Sequence, residues 1–197
     1  MFDTYKYIDA DLFYVYPDTG VLKNIPEIND FDSLTFFESV MVASRLQELN
    51  AKPIKIQSSN DLLRIHKYLF QDVYSWAGRV RTVEISKNGK PFLPTQSFQT
   101  AFGFINSLLN QYFDSDRNKK EDANSLAVIL DNINFMHPFR EGNGRTQREF
   151  IRILALQKKY VLDLNPLDDK HVHEQYMRGT IDGDVEKLSM LIFNSLN

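Results

Sequence analysis

The stretch HPFREGNGRTQREF, His137 to Phe150, sets a base, two acids, two glycines and three arginines within a few turns' length. Proline disfavours the α region for the residue before it. Pro138 is therefore expected to end the helix read in ANSLAVILDNINFM (123–136) and to turn His137 out of its last turn, onto a loop edge. Beyond the loop, RTQREFIRILALQKKY (145–160) has helical spacing. The stretch thus joins two helices, and Gly142 and Gly144 are the residues expected to allow a left-handed or closely approached backbone at the junction.

Working outward, apolar residues at helical spacing predict a helix over about 32–49, with Leu34, Phe37 and Met41 on its inner side. Helices are also predicted in NDLLRIHKYLFQDVY (60–74) and SFQTAFGFINSLLNQYF (97–113), and the tail HVHEQYMRG to DVEKLSMLIFNSL has room for two more. Between these, RTVEIS and PFL flank KNGK, and Asn-Gly between extended runs is the strongest local signal for a tight hairpin. The remaining segment, YVYPDTGVLKN within about residues 1–30, reads as irregular. The fold class expected is mainly α, a helical bundle with one β-hairpin. No repeat, low-complexity tract or linker divides the 197 residues, so a single domain over 1–197 is expected.

The 43% hydrophobic content is enough for a sizeable core. A net charge of −3, with both signs spread along the chain, gives no electrostatic basis for binding nucleic acid or anionic lipid. Without cysteine there is no disulfide, thiolate metal site or cysteine nucleophile. The acidic MFDTYKYIDADLF is unlike a signal peptide, and no apolar run approaches the ~18 residues of a membrane span. A cytoplasmic protein is expected.

The loop itself reads as a phosphate cradle, because N–H groups at a helix start bind anions. It is not a Walker A loop, since EGNGRTQ lacks that spacing and the Lys-Ser/Thr pair. At ~100° per residue, Arg145, Arg148 and Arg152 share one sector, opposite Phe150, Ile151, Ile153 and Leu154. The arginines are therefore expected on a face away from the core, where first-turn guanidinium groups can grip a polyphosphate. Glu141 beside them would repel phosphate unless a cation intervened, and an oxygen ligand next to phosphates suits Mg²⁺. His137, titrating near neutrality, is the base expected to take a proton from an incoming hydroxyl.

HPFREGNGR followed by TQR resembles the signature of the Fic family, HPFx(D/E)GNGRxxR, at every specified position. The likeness extends to YSWAGRVRTVEISK and to YVYPDTGVLKN with ASRLQEL, so it covers nearly the whole chain. It implies a Fic-type helical bundle whose hairpin is a flap, and protein adenylyltransferase activity (AMPylation): transfer of AMP from ATP to a Ser, Thr or Tyr hydroxyl of a target protein. Under the same likeness His137 is the catalytic base, Glu141 holds Mg²⁺, and Gly142, Asn143 and Gly144 form the anion hole. Arg145 would bind the outer phosphates and Arg148 the γ-phosphate. The flap residues Ser86, Lys87, Asn88 and Gly89 would align the target by main-chain pairing.

Plainer roles stand beside these. A histidine before proline is often a loop residue, an arginine row a solvated face, and a hairpin an edge ribbon. WAGRVR reads equally well as a packed Trp76 with surface arginines; Phe139 is assigned to the core, His66 to a structural role, and His171 and His173 to a helix surface. Gln175 and Tyr176 are candidates for a base pocket. Alternatives to AMP transfer are another nucleotide donor, γ-phosphate transfer as in the Doc branch, or an inactive binding module. Gly144, where the Doc branch has lysine, favours AMP.

Fic proteins commonly carry an inhibitory helix with the pattern (S/T)xxxE(G/N). The nearest string here, SRLQEL from Ser44 to Leu49, places leucine after Glu48. The resemblance therefore implies inhibition in trans, by a small helical antitoxin packing near the first helix, as in toxin–antitoxin pairs. Bacterial type II topoisomerases are the expected targets.

Overall fold

The computed structural model describes residues 6–7, 13–87, 89–114, 118–165 and 170–197. Its centre is α4 (Lys119–Met136), which presents Ala123, Leu126, Ala127, Leu130, Ile133 and Met136 to the interior. Around it pack α3 (Phe98–Phe113), α5 (Asn143–Gln157) and α7 (Val185–Ser195). The helix starts four residues before the expected Ala123. Asn118 accepts the N–H groups of Lys120 and Glu121 while Glu121 accepts that of Asn118, a capping box legible in NKKE.

α1 (Phe31–Ala51) starts on an Asp30 cap that accepts the Ser33 N–H at 2.8 Å, and packs on α2 (Asp61–Phe70), which in turn packs on α5. Arg45 fastens α1 to the turn after α2 through a two-pronged contact with Asp72 at 2.7 and 2.9 Å. α5 buries Phe150, Ile151, Ile153 and Leu154 as expected but stops at Gln157, short of Tyr160. Lys159 adopts φ 69° and the Tyr160 N–H returns to the Ala155 carbonyl, a left-handed helix stop. The tail supplies α6 (Lys170–Asp182), which packs on α7.

The hairpin forms where Asn-Gly places it, from β2 (Ile85–Lys87) and β3 (Lys90–Pro91), with Gly89 at φ 77°. Two described parts of the leading segment, Lys6–Tyr7 and residues 13–24, form structure that their sequence does not suggest. Backbone of β1 (Lys6–Tyr7) pairs antiparallel with β2, giving the order β1-β2-β3. Val15 and Leu22 bridge across a turn closed by Gly20 N–H to Tyr16 O, so YVYPDTGVLKN is a small hairpin, not an irregular strip. Pairing with a strand far along the chain has no local sequence signal.

Candidate active site

The motif loop is held from several sides. His137 caps α4 in the left-handed region, at φ 45° and ψ 60°, with its N–H still bonded to Ile133 O. That conformation costs a non-glycine residue roughly 1–2 kcal/mol, and three clamps oppose its relaxation. Arg81 donates Nε–H to His137 O at 3.0 Å, and its main-chain N–H to Pro138 O at 2.7 Å. Asn143, buried, closes the loop on Phe139, accepting that residue's N–H at 2.9 Å and donating to its carbonyl at 2.7 Å. His66 reaches Glu141 O from α2 at 3.0 Å while its Nδ1 accepts the Gly78 N–H at 2.8 Å, which fixes a neutral ring with the proton on Nε2. Stacked 3.8 Å from Phe139, the His66 ring has its pKa pushed down to about 3 by burial. His66 is structural as expected, but its partner is the motif itself. Phe139 lies in the core as read from the sequence.

Arg81 corrects the reading of WAGRVR. Its side chain is buried, not on the surface, and joins the loop to both ends of the flap by donating to Val83 O and Leu93 O, each at 2.6 Å, with Glu84 also beside it at 3.1 Å. Trp76 is packed, as expected.

His137 is 5% exposed, stacked 3.8 Å from the flap's Phe92. The Asn134 carbonyl, 3.1 Å from Nδ1, can only accept, so Nδ1 carries the proton and Nε2 is the basic nitrogen. Burial pushes the ring's pKa down to about 3, which corrects the expectation of titration near neutrality: the imidazole is neutral across the physiological range.

The arginine row does not face solvent. Arg145 is paired with Glu38 of α1 at 2.6 Å and with Glu141 at 3.4 Å. Arg148 lies with Cζ 5.2 Å from the Tyr176 ring centre of α6, and Arg152 is clasped by Glu149 at 2.7 Å. The helical wheel placed these three on one side, but α1 and α6 cover that side. Burial, and then the nearby Glu38 charge, raise the Glu141 carboxyl above its ordinary pKa. Burial opposes the Arg145 charge, yet Glu38 and Glu141 outweigh it and hold that pKa above its ordinary value.

The two glycines divide their expected tasks. Gly142 alone is left-handed, at φ 81°, and a Cβ there would lie 2.3 Å from the Phe70 ring. Gly144 is an ordinary helical residue; a Cβ on it would sit 3.4 Å from Arg148 Nη1 and 3.9 Å from the Tyr176 hydroxyl. Its missing side chain leaves space between those groups.

That space opens into a cavity of about 400 Å³ between the flap and α6. His137, Gly144 and Gln147 line its motif side, Lys87 and Phe92 its flap side, and Tyr176 and Met177 the α6 side. Gln147 is buried, accepts the Tyr176 hydroxyl at 3.3 Å, and its Nε2 has no protein partner among the described residues. A buried amide donor is normally satisfied, so its place on the wall suits a ligand acceptor. Gln175 is exposed, leaving Tyr176 as the base-pocket candidate that reaches the cavity. Of the flap residues, Ser86 and Lys87 belong to β2 and Gly89 to the turn; Asn88 lies outside the described residues. His171 is exposed as expected, but His173 is half-buried against Tyr176. No histidine or carboxylate cluster with metal-binding numbers occurs among the described residues.

Residues 56–155, which contain α2, the flap, α3, α4, the loop and most of α5, match the family model described as Fic/DOC family. The chain belongs to the Fic/DOC family. Among Fic relatives, the protein adenylyltransferase VbhT of Bartonella schoenbuchensis is 34% identical over 97% of this chain and 40% of its own length. This chain thus spans about two fifths of VbhT. The probable protein adenylyltransferase y4lH of Sinorhizobium fredii is 32% identical over 88% of this chain and 90% of its own. A crystal structure of the BepC protein of Bartonella tribocorum with bound AMPPNP superposes with a TM-score of 0.81 at 21% identity, covering 93% of this chain and 96% of that one. The bundle, the flap and the loop between α4 and α5 are the Fic fold.

Proposed function

We propose that this Fic protein is a protein adenylyltransferase, moving AMP from ATP to a Ser, Thr or Tyr hydroxyl of a target protein. The observation that carries the reading is a neutral, buried His137 with Nε2 as its basic nitrogen, on the wall of a cavity that also reaches the α5 start. Nε2 takes the hydroxyl proton as the target oxygen attacks the α-phosphorus. The new O–P bond forms while the bond to the bridging oxygen breaks, and pyrophosphate leaves. The names of VbhT and y4lH support the same chemistry.

In this reading the N–H groups of Asn143, Gly144 and Arg145, which open α5 and have no intrahelical acceptor, face the phosphates. Arg145 meets the outer phosphates and Arg148 the γ-phosphate. Glu141 suits a hard divalent cation: burial and a neighbouring carboxylate raise its pKa, and a cation would relieve both. Magnesium bound there would neutralise charge between phosphates. The flap guides the target, but β1 already covers one edge of β2, and Pro91 on β3 has no N–H to give. A target strand pairing at β3 would be held there through carbonyls. A Cβ on Gly144 would already meet Arg148 Nη1 at 3.4 Å, so a lysine there, as in the Doc branch, would crowd the cavity wall, which supports AMP transfer over the Doc-type alternative.

Regulation in trans belongs to the same reading. Phe36 and Val40 stand exposed on α1, an apolar face suited to a helical antitoxin. ATP as co-substrate supports a cytoplasmic site of action, and no described helix is long and apolar enough to cross a membrane. The test is incubation of the protein and Mg-ATP with bacterial extract, and separately with purified type II topoisomerase, using ATP labelled on the α- or the γ-phosphate. Protein-bound α-label is the expected result. Bound γ-label alone would assign phosphotransfer, and no label on any protein would overturn the reading.

A further inference from the structure

Two carboxylates converge on Arg145, and one of them lies outside the motif. Glu38 sits in the body of α1 with its side chain 11% exposed, and its Oε1 is 2.6 Å from Arg145 Nη2. The motif's own Glu141 is more distant from the same nitrogen, at 3.4 Å. Glu38 is itself fixed: its Oε2 accepts a short hydrogen bond from the Tyr74 hydroxyl, and the Tyr74 ring stacks 4.3 Å from Trp76. Beneath the Arg145 guanidinium lies Phe70, with its ring centre 4.8 Å from Cζ. The arginine is therefore held at one edge by a carboxylate and on one face by an aromatic ring. A guanidinium carries five N–H donors in a rigid fork, so a grip on one nitrogen orients the others without using them up.

We propose that Glu38 is a positioning residue for the nucleotide: it sets the Arg145 guanidinium in the orientation that meets the outer phosphates. The inference rests on the reading of Arg145 as a phosphate ligand. A carboxylate that merely competed with phosphate would have to swing aside when the nucleotide enters. Glu38 is fastened from behind by Tyr74 within a packed aromatic group, which opposes such a swing. The arrangement also makes α1 a part of the phosphate grip, although α1 lies outside residues 56–155 matched by the family model.

The experiment compares Glu38→Ala, Glu38→Gln, Arg145→Ala and the Glu38→Ala/Arg145→Ala pair. Calorimetry measures the affinity of each for Mg-AMPPNP and for AMP, which has no outer phosphates. Glu38→Ala is expected to weaken AMPPNP binding about tenfold, the scale of one well-placed charge-assisted contact. AMP binding should hold, and the KM for ATP should rise more than kcat falls. Glu38→Gln keeps an oxygen acceptor and should recover most of the loss, while Glu38→Ala should add nothing once Arg145 is alanine. Equal weakening of AMP and AMPPNP would reduce Glu38 to a packing role, tighter AMPPNP binding would make it a competitor of phosphate, and no change would remove it from the site; each overturns the proposal. If Arg145→Ala itself leaves AMPPNP affinity intact, the phosphate reading of Arg145 falls and the inference falls with it.

Discussion

Replacing His137 by alanine removes the basic nitrogen and leaves the α5 N-terminus, Arg145 and Arg148 in place. Transfer is expected to fall by at least about a hundredfold, the lower end for a lost general base, while calorimetry finds ATP binding little changed. Wild-type transfer by this variant would contradict the assigned role. If Glu141 holds magnesium as proposed, Glu141→Ala should lower transfer and flatten its magnesium titration, because the cation would lose its protein oxygen; an unaltered titration curve would show that the carboxylate does not hold the ion. These residues were legible because the motif spells each in a fixed place. Glu38, Arg81 and His66 were not: each acts on the loop from another element, and neither its neighbours in sequence nor its residue type announces the contact.

At the scale of elements, the loop is a joint between α4, α5, the flap and α2, and its clamps are open to test. Arg81→Lys substitutes one ammonium for a fork that reaches the carbonyls of His137, Val83 and Leu93. At roughly 1–3 kcal/mol for each buried acceptor left unpaired, the melting temperature should drop by several degrees and transfer should fall with it. Gly142→Ala meets both a left-handed backbone and the Phe70 ring. The conformation alone costs about 1–2 kcal/mol, and differential scanning calorimetry should record a larger loss; an unshifted melting point would mean that the ring yields freely. Glu48 offers a contrast. Its carboxylate pairs with Arg45 and accepts from Tyr68 on the outer side of the α1–α2 seam, so Glu48→Gly should leave the transfer rate unchanged. A large gain of activity would instead identify Glu48 as an internal inhibitor and remove the case for a partner acting in trans.

Across the molecule, proton binding links the site to stability. The His137 pKa lies near 3 in the folded chain, below its ordinary 6.5. The unfolded chain therefore binds a proton at this ring first. The stabilisation that results is fully present above about pH 6.5 and is lost as pH falls toward the folded value. Within that window each such ring adds a slope of about 1.4 kcal/mol per pH unit. Urea titrations from pH 7 to 4.5 should show wild-type stability falling faster than that of His137→Ala, and parallel curves would contradict the depressed pKa.

The sequence by itself determined the local matters: helices from apolar spacing, the hairpin from Asn-Gly, the helix break from Pro138, and a motif whose base, acid and arginines lie within the twelve residues from His137 to Arg148. Tertiary structure alone decided the environment of those groups. Burial made His137 neutral where its type suggested titration, and the packing of α1 and α6 turned a seemingly solvated arginine row into a paired, half-buried one. β1 joined the flap by pairing with β2, although α1 and α2 lie between the two strands in sequence. The physical reason is common to all three. Desolvation, ion pairing and strand pairing depend on which surfaces meet in space, and a linear pattern specifies which face a residue occupies without naming what covers it.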